Sequence, residues 1–269
     1  MAQRKASGLE GVRRAVRRPA DVDPRVVAAL NAGELATQNL AEALAIDAAA
    51  LLRVVLPRAS DSDLRLVSDA GGFTARMNAA GRVLHARATA AQLRRASEHT
   101  SDTVRGWACM AIGLEEGCTL ESRLERVRPF ADDEHFGVRE WAWSAVRPHI
   151  AKEAARAIGL LSPWVFDDSP NIRRFATEAT RPRGVWCAHI PELRARPELG
   201  LPLLEPLKAD PHKYVQDSVS NWLNDASKDM PGFVKSLCAR WRKESRDPAT
   251  IRICSRATRS IIAGRTSSR

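Results

Sequence analysis

The sequence predicts an all-α fold, a right-handed solenoid of HEAT-like helical repeats with a concave basic groove. Three observations carry this. A phrase recurs, made of an acidic residue, a β-branched residue and usually an arginine: Asp102…Val104-Arg105, Asp133…Val138-Arg139, Asp168…Ile172-Arg173, Asp210…Val215-Gln216 and Asp247…Ile251-Arg252. The β-branched anchors lie 34, 34, 43 and 36 residues apart, the period at which two-helix units stack. No segment alternates apolar and polar residues far enough to argue for a sheet.

Taken in order, residues 1–21 hold Arg4, Lys5, Arg13, Arg14, Arg17 and Arg18 with little apolar content. They are expected to form a flexible basic arm. A single repeat domain is expected over 22–262. From Pro24 the apolar spacing turns helical, and Gly71-Gly72 marks a break. First helices are expected near 119–130, 153–166, 201–208 and 232–244. Each precedes an acidic turn and a second helix that opens at the anchor. The Asp of the phrase suits an N-cap or a first-turn acid. Pro170, Pro211 and Pro248, just after their Asp, help start a helix. Residues 263–269 read as a disordered polar tail.

Counting each anchor as zero, at 100° per residue, apolar residues fall at 0, +3, +4, +7 and +8. One example is Val104, Trp107, Ala108, Ala111 and Ile112. That stripe is the buried face, so Trp107, Trp141 and Trp222 read as core. The opposite stripe, +2, +6, +9 and +10, holds Glu140, Arg147, Arg174, Glu178, Arg181, Asp217, Asn221, Asn224 and Asp225. Second helices of such repeats usually line the concave surface, which is expected to bring Glu140, Glu178 and Asp225 into one groove. The blander reading is a solvated helix face. Against it, the stripe mixes carboxylates with Asn and Arg, and the next segment puts Trp186 in a loop. Trp143, at +5, also lies off the buried stripe.

The chain has 42 Lys and Arg against 32 Asp and Glu, a formal net charge of +10. That excess points to a polyanion, most simply nucleic acid. No run approaches the roughly 18 apolar residues of a membrane span, and no signal peptide is apparent. Five cysteines without a CxxC pair suggest a reducing cytoplasm and neither disulfides nor zinc. Cys187 and His189 are too close and too isolated to form a metal site. Neither a metal nor a cofactor is expected.

The segment Asn171-Ile-Arg-Arg-Phe-Ala-Thr-Glu178-Ala-Thr-Arg181-Pro182-Arg183-Gly-Val-Trp186 resembles the signature of the HEAT-like-repeat DNA alkylation repair glycosylases, the AlkC branch of the AlkC/AlkD superfamily. Tyr214-Val-Gln-Asp-Ser-Val-Ser-Asn221-Trp-Leu-Asn224-Asp225-Ala-Ser-Lys228 is similar to a second block of that family. Val138-Arg-Glu140-Trp-Ala-Trp143 and Leu40-Ala-Glu-Ala-Leu-Ala-Ile-Asp47 are similar to two more. The resemblance spans about 22–262. It departs at Gly184-Val185, at Trp222 and around Cys254-Ser-Arg-Ala-Thr-Arg259, and the immunoglobulin-like domain that some members carry at the C-terminus is not expected here.

The resemblance implies a monofunctional DNA glycosylase that removes cationic N-alkylated bases, such as 3-methyladenine, from double-stranded DNA, acting as a monomer. It implies catalytic carboxylates at Glu140, Glu178 and Asp225 and lesion-contacting aromatics at Trp186 and Trp143. DNA contacts would come from Arg147, Arg174, Arg181, Arg183, Asn221, Asn224 and Lys228. Two other readings compete. One is a non-catalytic HEAT-repeat paralogue that binds unusual DNA structures. The other is a protein-binding scaffold, whose groove should expose apolar or single-sign patches.

Overall fold

The computed structural model describes residues 13, 16–184 and 187–261. Among them the secondary structure is helical throughout, with no strand. In chain order the helices are α1 (Pro24–Asn31), α2 (Leu40–Ala45), α3 (Ala48–Val55), α4 (Asp61–Ser68), α5 (Phe73–Arg87), α6 (Ala90–Ser97), α7 (Asp102–Leu114), α8 (Leu120–Ala131), α9 (Phe136–Lys152), α10 (Ala154–Leu161), α11 (Pro170–Ala179), α12 (Pro191–Ala195), α13 (Leu201–Leu204), α14 (Lys213–Ala226), α15 (Pro231–Glu244) and α16 (Pro248–Ala257). Short 3-10 turns occupy Pro19–Asp21, Ser162–Phe166 and Pro197–Gly200. The chain divides into two compact units. They are Met1–Gly117 with Glu134–Ala145, and Cys118–Asp133 with Val146–Arg269.

In the first unit, side chains at helix starts satisfy the orphan N–H groups. Asp23, Asn39 and Asp47 cap α1, α2 and α3. Ser60 with Asp63 and Thr89 with Gln92 form capping boxes on α4 and α6. The expected break is real: Gly72, at φ +82°, precedes α5, and that left-handed conformation suits a residue without Cβ. Leu30, Leu51, Leu52, Met77, Leu84 and Trp107 fill the core. Trp141 is half-buried and meets Phe73 edge-on, ring centroids 5.6 Å apart.

The basic arm is only partly as expected. Arg13 is tucked in, donating to both oxygens of buried Glu42 at 2.5 and 3.2 Å and to Ala36 O at 2.6 Å. Burying that carboxylate calls for a charged partner. The other arm residues, 1–12, 14 and 15, and the predicted tail, 263–269, lie outside the described residues.

In the second unit α11, α14 and α16 pack in succession, with α15 against both α14 and α16. The buried stripe holds as counted: Ile172, Phe175, Ala176 and Ala179, then Val215, Val219, Trp222 and Leu223, are all buried. Gly200 lets the 3-10 turn approach Trp222, since a Cβ there would lie 2.4 Å from Cζ2 of the indole. The helix expected over 201–208 ends at Leu204 and continues as a turn.

The residue after each of the first four anchors has a specific task. It reaches back over the first turn to carbonyls five or six residues earlier. Arg105 Nη1 donates to His99 O and Thr100 O at 2.6 and 3.1 Å, and Arg139 Nη1 to Glu134 O at 2.9 Å. Arg173 Nη1 donates to Asp167 O and Asp168 O at 2.8 and 2.9 Å, and Gln216 Nε2 to Asp210 O at 2.8 Å.

The acid of the phrase is an N-cap only at Asp247. Asp102, in the first turn of α7, instead accepts from Thr37 N and Oγ1 at 2.7 and 2.9 Å. Asp210 accepts from Arg173 Nε and Nη2 at 2.7 and 3.2 Å. A second donor sits at +9 and serves the next helix of the stack. Arg147 Nη1 donates to Ala179 O, the last residue of α11, at 3.0 Å, and Asn224 Nδ2 to Ala257 O, the last of α16, at 3.2 Å.

Arg173→Ala is expected to leave Asp210 buried and unpaired, and to lower stability by about 3–5 kcal/mol, the usual cost of breaking a buried pair. Urea unfolding would show it as a lower midpoint. Arg173→Lys should recover only part, because an ammonium cannot reproduce the planar fork.

Candidate functional site

The second unit brings together two of the three predicted carboxylates. Glu178, in the last turn of α11, and Asp225, in the last turn of α14, are each only 4% exposed. One guanidinium bridges them. Arg181 donates from Nη1 to Glu178 Oε1 at 2.7 Å and from Nε to Asp225 Oδ2 at 2.8 Å. The second oxygen of Glu178 accepts from Ser218 Oγ at 2.7 Å and pairs with Arg174 Nη1 at 3.2 Å. Thr177 Oγ1 donates to Ser218 Oγ at 2.8 Å, which orients that hydroxyl toward the carboxylate. Arg174 also lies over the Tyr214 ring, 4.1 Å from its centroid. Lys228 Nζ donates to the other oxygen of Asp225 at 3.3 Å.

Burial alone would push the Glu178 carboxyl upward. The Arg174 and Arg181 guanidiniums, with the Arg181 and Ser218 hydrogen bonds, outweigh it and hold the group below its ordinary value. The same carboxylates raise Arg181 against the opposing effect of its own burial. The site is therefore an ion-pair cluster of alternating sign.

Several predicted DNA contacts turn out to be committed inside the protein. Arg147, expected to hold a phosphate, is 2% exposed. Its guanidinium donates to Ala179 O at 3.0 Å, Arg181 O at 2.6 Å and Ala188 O at 3.2 Å. It ties the end of α11 to the loop that follows, because +9 points at the next repeat rather than at solvent. Arg181 is spent on the two carboxylates. Arg183 donates to Asp229 at 2.7 and 2.9 Å, and Arg194 grips the same carboxylate from α12 at 2.7 and 3.0 Å. These two guanidiniums hold the Asp229 carboxyl far below its ordinary value.

Asn224 is buried against Ala257 and Ser260. Asn221 accepts from Arg259 Nη2 at 2.9 Å. Lys228, 43% exposed, remains open to solvent.

In the first unit, Glu140 is half-buried and accepts from Trp143 Nε1 at 3.0 Å. Trp143 is 9% exposed, so the aromatic expected to touch a lesion is packed instead, with its indole N–H held by Glu140. Trp186 lies outside the described residues. Trp222 is fully buried, as its +7 position implied, and donates to Thr180 Oγ1 at 3.3 Å.

Sequence reasoning missed Ser218 and Asp229. Ser218 had a signal: it stands at +3, a position filled by Trp107, Trp141 and Phe175 in other repeats. A hydroxyl on a buried stripe needs a buried partner. Among the described residues no cluster of His, Cys, Asp and Glu could hold a metal, and no helix is long and apolar enough to cross a membrane.

Known proteins similar to this chain include the following. The alkylpurine DNA glycosylase AlkC of Pseudomonas fluorescens, bound to DNA containing an abasic site analogue, is 27% identical with a TM-score of 0.65, over 82% of this chain and 62% of that one. AlkD2 of Streptococcus mutans is 23% identical with a TM-score of 0.57, over 73% of this chain and 96% of that one. An uncharacterised protein of Bacillus subtilis (strain 168), YhaZ, is 38% identical over 97 residues, which is 36% of this chain and 27% of that protein. The chain thus spans less than two thirds of either AlkC or YhaZ. No family model matches it.

Because Glu178 is held ionised below its ordinary value of 4.5, its contribution to stability is complete above that pH and is lost as pH falls through the lowered folded value. Glu178→Gln should be less stable than wild type at pH 7. The gap should narrow in urea titrations taken down from pH 5 to pH 3. A constant gap would mean that the charge of Glu178 is not what stabilises the cluster.

Proposed function

We propose that this chain, a member of an AlkC/AlkD-like family of helical-repeat proteins, is a DNA glycosylase of the AlkC branch that hydrolyses the N-glycosidic bond of cationic N-alkylated bases. The observation that carries this reading is the pair of buried carboxylates, Glu178 and Asp225, on neighbouring repeat helices and joined by Arg181. The net charge of +10 suits a polyanionic partner.

A base alkylated at N3 is already positively charged, so it leaves without an acid. Water adds at C1′ and the C1′–N bond breaks. The bonding pair departs with the base and neutralises it, and the proton lost by water passes to a carboxylate. The protein's share is electrostatic: anions beside C1′ stabilise the oxocarbenium-like transition state and orient the water. Paired carboxylates serve sugar hydrolysis by the same logic. Glu178 and Asp225 would take these roles.

In the free protein Arg174 and Arg181 cover Glu178. Exposing it means pulling guanidiniums from a buried pair, at about 3–5 kcal/mol. Phosphates of a bound duplex are the groups able to offset that cost. Activity would need no metal or cofactor, and the protein would act as a cytoplasmic monomer. The pairing of Glu178 with two guanidiniums also favours a second reading, a paralogue that binds DNA without cutting the glycosidic bond.

Incubation of the full chain with methylated duplex DNA, followed by chromatography of the released bases, separates these readings. Wild type should release 3-methyladenine. Glu178→Gln and Asp225→Asn, checked for retained helicity, should slow single-turnover release by about 10²-fold or more. Wild-type rates in both variants would sink the catalytic assignment. Duplex binding with no release by wild type would establish the second reading.

A further inference from the structure

Arg147 and Arg183 are committed internally, and Arg174 and Arg181 leave Glu178 only at a cost, so a first grip on the phosphates of a nucleic-acid partner falls to other cations. The edge where α14 meets α16 supplies them. Arg252 and Arg256 both turn to a single oxygen of Asp217, at 2.6 and 3.3 Å. Arg259 sits beside them, donating to Asn221 Oδ1 and to Arg256 O at 2.9 Å each. Lys228 reaches Asp225, whose charge Arg181 already offsets. The edge therefore carries more positive charge than the carboxylates beside it can balance.

Its like charges also oppose one another. Arg259 is lowered first by burial and then by the neighbouring Arg256, while Asp225 and Asp217 pull it upward. An anion docked here would relieve that repulsion. Lys228 and Arg256 are each 43% exposed, so their charges are open to a large partner.

We infer that Lys228, Arg256 and Arg259 form a phosphate-binding edge that grips the sugar–phosphate backbone of duplex DNA next to Asp225. The inference rests on the duplex partner of the proposed function but not on base release. A backbone grip of this kind positions the duplex without reading its sequence.

The test is fluorescence anisotropy of a labelled, undamaged duplex with the full chain, titrated between 50 and 200 mM salt. Removing one phosphate-binding cation should flatten the slope of log affinity against log salt by about 0.9, so Arg256→Ala with Arg259→Ala should flatten it by about 1.8 and weaken binding throughout. The paired Lys substitutions should restore the slope. Arg240→Ala, on α15 and paired with Glu205 and Glu244, should leave it unchanged. If the double variant loses helicity, Arg256→Ala alone should flatten the slope by about 0.9.

An unchanged slope in Arg256→Ala and the double variant, or an equal change in Arg240→Ala, would overturn the inference. Normal salt-dependent binding without base release would remove the glycosylase reading and leave this one standing.

Discussion

Every helix ends with carbonyls that have no partner within it, and a stack of short helices multiplies those ends. This chain meets the constraint with donors at fixed distances from several of the anchors. The +1 residue reaches back to the turn before its own helix: Arg105, Arg139, Arg173 and Gln216 all do so. The +9 residue reaches forward to the last carbonyl of the next helix, as Arg147 and Asn224 do. The repeats are joined by polar side chains as well as by the apolar stripe between them.

The candidate site depends on those struts. Arg147 holds Ala179 O and Arg181 O, which fixes the backbone from which Arg181 projects. From there Arg181 spans two carboxylates on different helices. It pairs with both, while Arg174 adds to Glu178 and Lys228 to Asp225, and such pairing offsets the large cost of an ion in a dry interior. Ser218, oriented by Thr177, completes the cluster by donating to the Glu178 oxygen that also pairs with Arg174. A scaffold function and a proposed chemical function thus share one network.

That sharing separates two kinds of arginine. Arg147, Arg173 and Arg181 are buried or nearly so and bond to protein oxygens. Arg256 and Arg259 lie on an edge where positive charge is in excess. Composition counts all of them alike toward the +10, yet only the second kind can answer to a polyanion without dismantling the fold.

The helical class, the spacing of second helices, the core tryptophans Trp107 and Trp222 and the break at Gly72 were legible in the sequence. Each follows from a local rule: the 3.6-residue period, the turn preference of glycine, the start signal of proline. The pairing of Glu178 with Asp225 was half legible, since the angular count put them on a common stripe but facing solvent. The rest belongs to tertiary structure. Arg181 finds Asp225 across 44 residues, Ser218 finds Glu178 across 40, and Arg147 finds Arg181 O across 34. A periodic count gives the direction in which a side chain leaves its helix. Which charge it meets, and whether water still reaches it, depends on how closely the next helix packs.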